Sequence, residues 1–476
     1  MDAKPNTPND ADQRSAGLTG PVAAPLSVAE IEALYRSGKA KPADVIRATY
    51  KRIALAARPD AWISLRPEAE AIAMADALTK RAPADLPLYG VPFAVKDNID
   101  VAGLPTTAAC PAYAYTPKES AISVSRLEQA GAICVGKTNL DQFATGLCGV
   151  RSPYGACGSA SHPDIIAGGS SSGSAVAVGL GEVPFTIGTD TGGSGRIPAS
   201  FNKVVGLKPT LGAISTRGLV PNCRTLDCVS VFALTVEDAA RVAELMREFD
   251  PHNSFSRQTP AGFSFSVPQA PPTFRFGIPH PKDLQFFGNR EASRIYEDAI
   301  ARLQTIGGTV VPVEFGPLRE AGVLLFDGPW IAERAEAIGD FLQNNPDAVL
   351  PVTRGIVDSA KRWSATDTFA ALYRQQELKR KAEQMFSSIE VLVVPTVGTY
   401  FTIAEMEADP IARNNMMGYY SYFVNLLDLC AVATPSGFYS NGLPAGITLI
   451  APAFHDAACA AIASKVHQAL LHDSVL

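Results

Sequence analysis

Between residues 167 and 200 the chain reads AGGSSSGSAVAVGLGEVPFTIGTDTGGSGRIPAS, two Gly/Ser-rich runs around a short apolar segment. A phosphate cradle is one chemistry such runs could serve. The P-loop pattern needs a lysine after its last glycine, and neither run supplies one. The dinucleotide fingerprint needs G-x-G-x-x-G, a spacing that Gly192, Gly193 and Gly195 do not have. Acyl chemistry fits better. The backbone from Thr191 through Gly192 and Gly193 to Ser194 can aim several N–H groups at one point, as an oxyanion hole requires. A hydroxyl at its end, that of Ser194, is then placed to attack a carbonyl.

A serine nucleophile needs a base. The six histidines lie outside recognisable active-site motifs. Lys96, in GVPFAVKDNID, directly follows a segment that reads as a buried strand. At a strand end it could simply reach the surface, since lysine is rarely buried unpaired. Held in the core, it would lose its charge to desolvation and become a neutral base.

These groups need a scaffold, and the sequence reads as α/β. Ser27 and Glu30 form a capping box ahead of IEALYRSG, and PADVIRATYKRIALAA follows as an amphipathic helix. The alternation then runs helix ESAISVSRLEQAGA, strand ICVGKT, helix SSGSAVAVGLG, strand VPFTIGT. Residues 250–276 shift to Pro, Ser and Gln and predict a surface crossover. Beyond it come strand FRFGIP, helix EASRIYEDAIARLQTIG and strand TVVPVEF. A helical stretch from about 320 to 388 leads to strand IEVLVVPTV, and strand GLPAGITLIAPAF precedes a closing helix. Residues 1–25 read as a disordered arm, and 26–476 as the ordered domain.

Composition narrows the class. Hydrophobic residues make up 47% of 476 and charged residues 18%, enough for a sizeable core. A formal net charge of −6 without a polybasic block argues against nucleic acid or a membrane surface as partner. No apolar run approaches a membrane span, the start is not a secretory signal, and a cytoplasmic location is expected. The eight cysteines include no C-x-x-C pair, and His162 after Cys157 reads as a loop histidine, so neither a disulfide framework nor a metal site is expected.

Lys96 in AVKDNID, Ser170 in GGSSSGSA and Ser194 in GTDTGGSGRIPASF resemble the three catalytic positions of the amidase signature family, and the resemblance runs from about residue 27 to 470. It implies a large, mixed, twisted central sheet covered by helices on both faces. It also implies that Ser194 is the nucleophile, that Ser170, on a cis peptide bond, relays the proton, and that Lys96 is the base. Backbone N–H groups of Thr191, Gly192, Gly193 and Ser194 would hold the oxyanion, and no cofactor is needed. Asp190 and Arg196 read as a brace for the loop, Ser171 as support for Ser170, and Ser172 and Ser174 as helix capping and packing.

Within that family, NIDVAGLPTTAACPAYAYTP, GKTNLDQFATGLCGVRSPYG, RTLDCVSVFALTVEDA and LLFDGPWIAERAEAI are similar to the allophanate hydrolases. The resemblance implies cleavage of allophanate (N-carboxyurea) to ammonia and N-carboxycarbamate, a functional link to a biotin-dependent urea carboxylase, and a homodimer. It nominates Arg334 to grip the substrate carboxylate; the alternative is a surface ion pair with Glu333 or Glu336. Phe326 stands where a tyrosine is expected, which would cost a substrate hydrogen bond, and Cys148 departs from the pattern beside Gly149, whose backbone is a further candidate contact. Full-length relatives tend to carry a second, smaller domain after the closing helix. The other readings are an amidase for another small amide, the A subunit of a tRNA-dependent amidotransferase and a non-catalytic binding protein.

Overall fold

The computed structural model describes residues 25–473, so most of the expected N-terminal arm lies outside the described residues. The strands are β1 (Trp62–Leu65), β2 (Pro92–Lys96), β3 (Ile133–Thr138), β4 (Phe185–Asp190), β5 (Val205–Lys208), β6 (Cys228–Ala233), β7 (Phe274–Pro279), β8 (Gly308–Val313), β9 (Val391–Pro395), β10 (Leu429–Phe438) and β11 (Pro444–Pro452). They form one sheet in the order β1-β3-β2-β4-β6-β5-β10-β11-β9-β7-β8. β2 runs parallel to both β3 and β4, and β7 parallel to β8 and β9. The other pairings are antiparallel, so the sheet is mixed, as expected.

Strand side chains alternate between faces with a period of two, and the core divides accordingly. Phe93 and Val95 of β2, Phe185 and Ile187 of β4 and Ile447 and Leu449 of β11 enter one apolar layer. Helices Val236–Met246 and Asp456–Asp473 close that layer with Val242, Met246 and Val466. Ala94, Phe232 and Ala433 point the other way, against Val176 and Val178 of helix Ser172–Gly179. Leu392 and Ile450 extend this second face beneath helix Gly316–Phe326, which contributes Leu318 and Leu325. Strands buried on both faces read as continuous apolar runs, and β2, β4, β6 and β9 are buried at every position.

The capping box stands as expected: Ser27 accepts from the Glu30 amide and Glu30 from the Ser27 amide. β1, β5, β6, β10 and helices Glu68–Leu78 and Val236–Met246 are additions to the sequence reading. β5 has only four residues, and Pro435 and Gly437 interrupt the pattern of β10. The crossover is corrected in two respects. Phe274–Phe276 already belong to β7, and the segment is not wholly superficial, because Phe265 is 1% exposed in the core. Asp250 pins its start by accepting from Ser215 and Arg217.

Candidate active site

β2 and β4 are parallel neighbours, and the carboxyl ends of such strands are where α/β sheets present functional groups. β2 ends at Lys96, with no exposed surface. Its Nζ lies 2.8 Å from Ser170 Oγ and 2.7 Å from Thr189 Oγ1. Ser170 Oγ lies 2.9 Å from Ser194 Oγ. The three groups thus form one continuous chain from a strand end, through the loop before helix Ser172–Gly179, to the loop after β4. Burial pushes the Lys96 amine down to about 7, against the opposing pull of Asp141, Asp190 and Asp227.

The loop after β4 is braced from within. Arg196 meets Asp190 through two parallel bonds, Nε to Oδ2 at 2.9 Å and Nη2 to Oδ1 at 3.0 Å, and neither side chain is exposed. Burial alone would raise the Asp190 carboxyl, but the Arg196 guanidinium outweighs this and holds it below its usual range. Arg196 also donates to the Ser421 carbonyl and to Asn425 Oδ1. Asp190 and Arg196 therefore sit where the sequence reading put a brace.

Asp190 also accepts from the amides of Gly193 and Gly195, both at 2.9 Å. This corrects the expected oxyanion set. The Gly193 N–H is turned into the loop by its φ of +138° and is consumed there, whereas those of Thr191, Gly192 and Ser194 donate to no other described residue. Thr191, Gly192 and Ser194 line a cavity of about 90 Å³, and Gly193 does not. A Cβ at Gly193 would stand 2.4 Å from Ser421 Oγ, so glycine alone allows this turn.

The Gly169–Ser170 peptide is cis, as the resemblance implies. Asp141 organises the neighbouring segment, accepting from the amides of Cys148, Gly149 and Arg151 while its own amide donates to the Ser170 carbonyl. Gly149 is not among the residues that line the cavity; its N–H serves Asp141 and its carbonyl accepts from the Cys157 amide. Burial pushes the Cys148 thiol up to about 12, which leaves it protonated and inert. Ser171 donates to the Thr189 carbonyl at 3.1 Å and not to Ser170, so it steadies the β4 residue that holds Lys96. Ser172 and Ser174 bond Asn139 and Thr138 at the end of β3, and neither caps the helix.

The opposite wall of the cavity comes from helices. Phe326, last in Gly316–Phe326, and Arg334, in Ile331–Asn344, both line it. Phe326 packs on Tyr422 with ring centroids 5.0 Å apart. Arg334 makes no ion pair among the described residues, so the alternative of a surface pair with Glu333 or Glu336 does not hold; its Nε donates to Asn222 Oδ1 at 3.1 Å. A second guanidinium, that of Arg151, is 3% exposed and binds the carbonyls of Thr145 and Pro410 at 2.9 and 2.5 Å. Sequence reasoning passed over Asn222 and also over Thr189, Arg151 and Asp227, which lie within the stretches quoted for the resemblance but were given no role there.

Residues 44–460 match the Amidase family. The chain belongs to the amidase family. Among its relatives in that family, the urea amidolyase of Saccharomyces cerevisiae is 44% identical over 413 residues, 86% of this chain and 22% of that protein. The chain thus spans about a fifth of the length of the curated relatives it first matches. The structure of Kluyveromyces lactis allophanate hydrolase is 42% identical and superposes with a TM-score of 0.87, over 93% of this chain and 72% of that one. The A subunit of the glutamyl-tRNA(Gln) amidotransferase of Thermotoga maritima is further away, at 26% identity and a TM-score of 0.79, over 93% of this chain and 94% of that one. The amidase fold, α/β with a mixed sheet, is thus common to relatives of different named activity.

Proposed function

We propose that this chain hydrolyses allophanate at its carboxamide, with Ser194 as nucleophile, Ser170 as proton relay and Lys96 as base. One observation carries the reading: the Lys96–Ser170–Ser194 chain opens into a small cavity whose far wall carries Arg334 without a carboxylate partner. A cavity of about 90 Å³ has room for a compact substrate beside Ser194. A guanidinium free of ion pairs selects one bearing a carboxylate. Allophanate, urea with a carboxylate on one nitrogen, has both properties. The similarity to the K. lactis allophanate hydrolase supports the same substrate.

The steps follow from the distances. An amine brought near 7 by burial is partly unprotonated at neutral pH. Hydroxyl hydrogens can point either way along the chain, so Ser170 gives its proton to Lys96 as it takes that of Ser194. Ser194 Oγ attacks the carboxamide carbon, and the developing oxyanion meets the amides of Thr191, Gly192 and Ser194. As the C–N bond breaks, the proton returns through Ser170 to the nitrogen, and ammonia leaves. Water then attacks the ester, again giving a proton to the chain, and Ser194 regains its hydrogen as N-carboxycarbamate departs.

Allophanate is carboxylated urea, so a biotin-dependent urea carboxylase is the class of enzyme that supplies it. The functional unit is a homodimer, which light scattering on the purified chain tests. The substrate assignment is tested by ammonia release from allophanate beside biuret and a simple aliphatic amide. Preference for allophanate by about a hundredfold or more in kcat/KM is expected from a paired carboxylate. Equal turnover of the others overturns it.

A further inference from the structure

Arg334 stands on a helix whose sequence, IAERAE, places acids on both sides of it. Residues one and two apart on a helix do not face each other, so neither Glu333 nor Glu336 is placed to pair with Arg334 along its own helix. The segment Asn222–Asp227 meets all three side chains separately. Thr225 binds Glu333 through its amide at 3.0 Å and through its hydroxyl, and Arg224 Nε lies 3.3 Å from Glu336. Arg334 is left with Asn222, a neutral partner that is 3% exposed.

The orientation of that partner is fixed. Asn222 Nδ2 donates to the Phe143 carbonyl at 2.9 Å and to Thr145 Oγ1 at 3.1 Å, which turns Oδ1 toward Arg334. Its own amide donates to Asp227 Oδ2 at 2.9 Å, and Asp227 Oδ1 accepts from Thr191 Oγ1 at 2.5 Å. One buried carboxylate therefore ties the mount of Arg334 to the loop that carries Ser194. An amide oxygen takes the Nε hydrogen and no charge. The neighbouring Cys223 thiol is the other side-chain partner of the guanidinium, and no carboxylate among the described residues takes its terminal nitrogens, which leaves them able to meet a planar anion.

We propose that Asn222 is a specificity-determining positioning residue, holding Arg334 in register with Ser194 while keeping its charge for the substrate carboxylate. This rests on the allophanate reading, and it adds why the neighbour of Arg334 is an amide and not an acid. Asn222→Asp is the decisive variant: it keeps the size of the side chain and supplies an internal counter-ion.

The test compares kcat/KM for malonamate and malonamide, which differ only in carboxylate against carboxamide, in wild type, Asn222→Asp and Asn222→Ala. In wild type malonamate is favoured at least about tenfold. Asn222→Asp lowers that ratio by about tenfold or more, chiefly through KM for malonamate, because the new carboxylate occupies the guanidinium. Asn222→Ala lowers it by less, since Arg334 loses its mount and keeps its charge. Thermal unfolding of each variant identifies loss of fold, and if Asn222→Asp does not fold, the Ala variant decides by the same ratio. A wild-type ratio near one overturns the allophanate reading. A high wild-type ratio that both folded variants retain, including the case in which both substrates lose turnover alike, overturns this inference and leaves that reading standing.

Discussion

The two walls of the cavity are built by different means. On the nucleophile side, Lys96, Ser170, Asp190, Arg196 and Ser194 are at most 4% exposed, and each makes at least one side-chain hydrogen bond. They stand at the ends of sheet strands or in the loops those strands anchor. On the opposite side, Arg334 and Phe326 are half-buried, carried by helices, and held by one hydrogen bond and one ring contact. On the proposed function the fixed wall carries the chemistry that any amide would use, and the lightly held wall carries what distinguishes one amide from another. Relatives with different named activities share the fold.

The comparison breaks most sharply at the nucleophile. Ser194→Ala removes the attacking oxygen and lowers kcat by about 10⁴-fold or more on every amide, charged or not, with KM little changed. Steady-state ammonia release measures it; residual turnover within tenfold of wild type would remove Ser194 from the chemistry. Next comes the base. The amine of Lys96 acts unprotonated, so kcat/KM falls as pH drops below about 7, approaching tenfold per pH unit. Lys96→Arg, a group that stays charged, abolishes turnover at all pH values between 6 and 9, by about 10³-fold or more. A variant with the wild-type pH profile would show that Lys96 does not set it.

On the other wall the effects become selective. Arg334→Ala raises KM for allophanate by about a hundredfold and affects an uncharged amide much less. Equal losses on both would make the two walls energetically alike and end the comparison. Phe326→Tyr is the smallest change. A hydroxyl placed at the cavity lowers KM for allophanate by about two- to tenfold, the net worth of one ordinary hydrogen bond. No change in KM would mean that the ring meets Tyr422 and nothing else.

Legibility in the sequence followed the same division. Ser194 and Lys96 were candidates from a Gly/Ser-rich run and a strand end that both had competing readings, and Ser170 joined them only through the family resemblance; the structure brings the three side chains within hydrogen-bond distance in series. The brace of Asp190 and Arg196 was readable because both lie in that run. Gly193 was misassigned because a sequence does not tell which amides a nearby carboxylate will consume. Gly149 failed for the same reason, its two backbone groups going to Asp141 and Cys157. Asn222, Asp227 and Thr189 were not singled out, because the side-chain partners that give them a role, Arg334, Thr191 and Lys96, lie on other segments of the chain. Of the fold, the fully buried β2, β4 and β9 were found, whereas the equally buried β6, the short β5 and the interrupted β10 were not.

The brace on the nucleophile loop has a temporal side. Arg196 reaches Asp190 close by, but its remaining bonds go 225 and 229 residues onward, to Ser421 and Asn425. Ser421 Oγ also holds the Gly192 carbonyl at 2.7 Å. Contacts so distant along the chain close late in folding. A growing polypeptide that has emerged only as far as residue 400 already contains Lys96, Ser170 and Ser194, but its loop is held only from within, by Asp190 on Gly193, Gly195 and Arg196. The outer half of the brace is completed only when the segment around Ser421 and Asn425 docks.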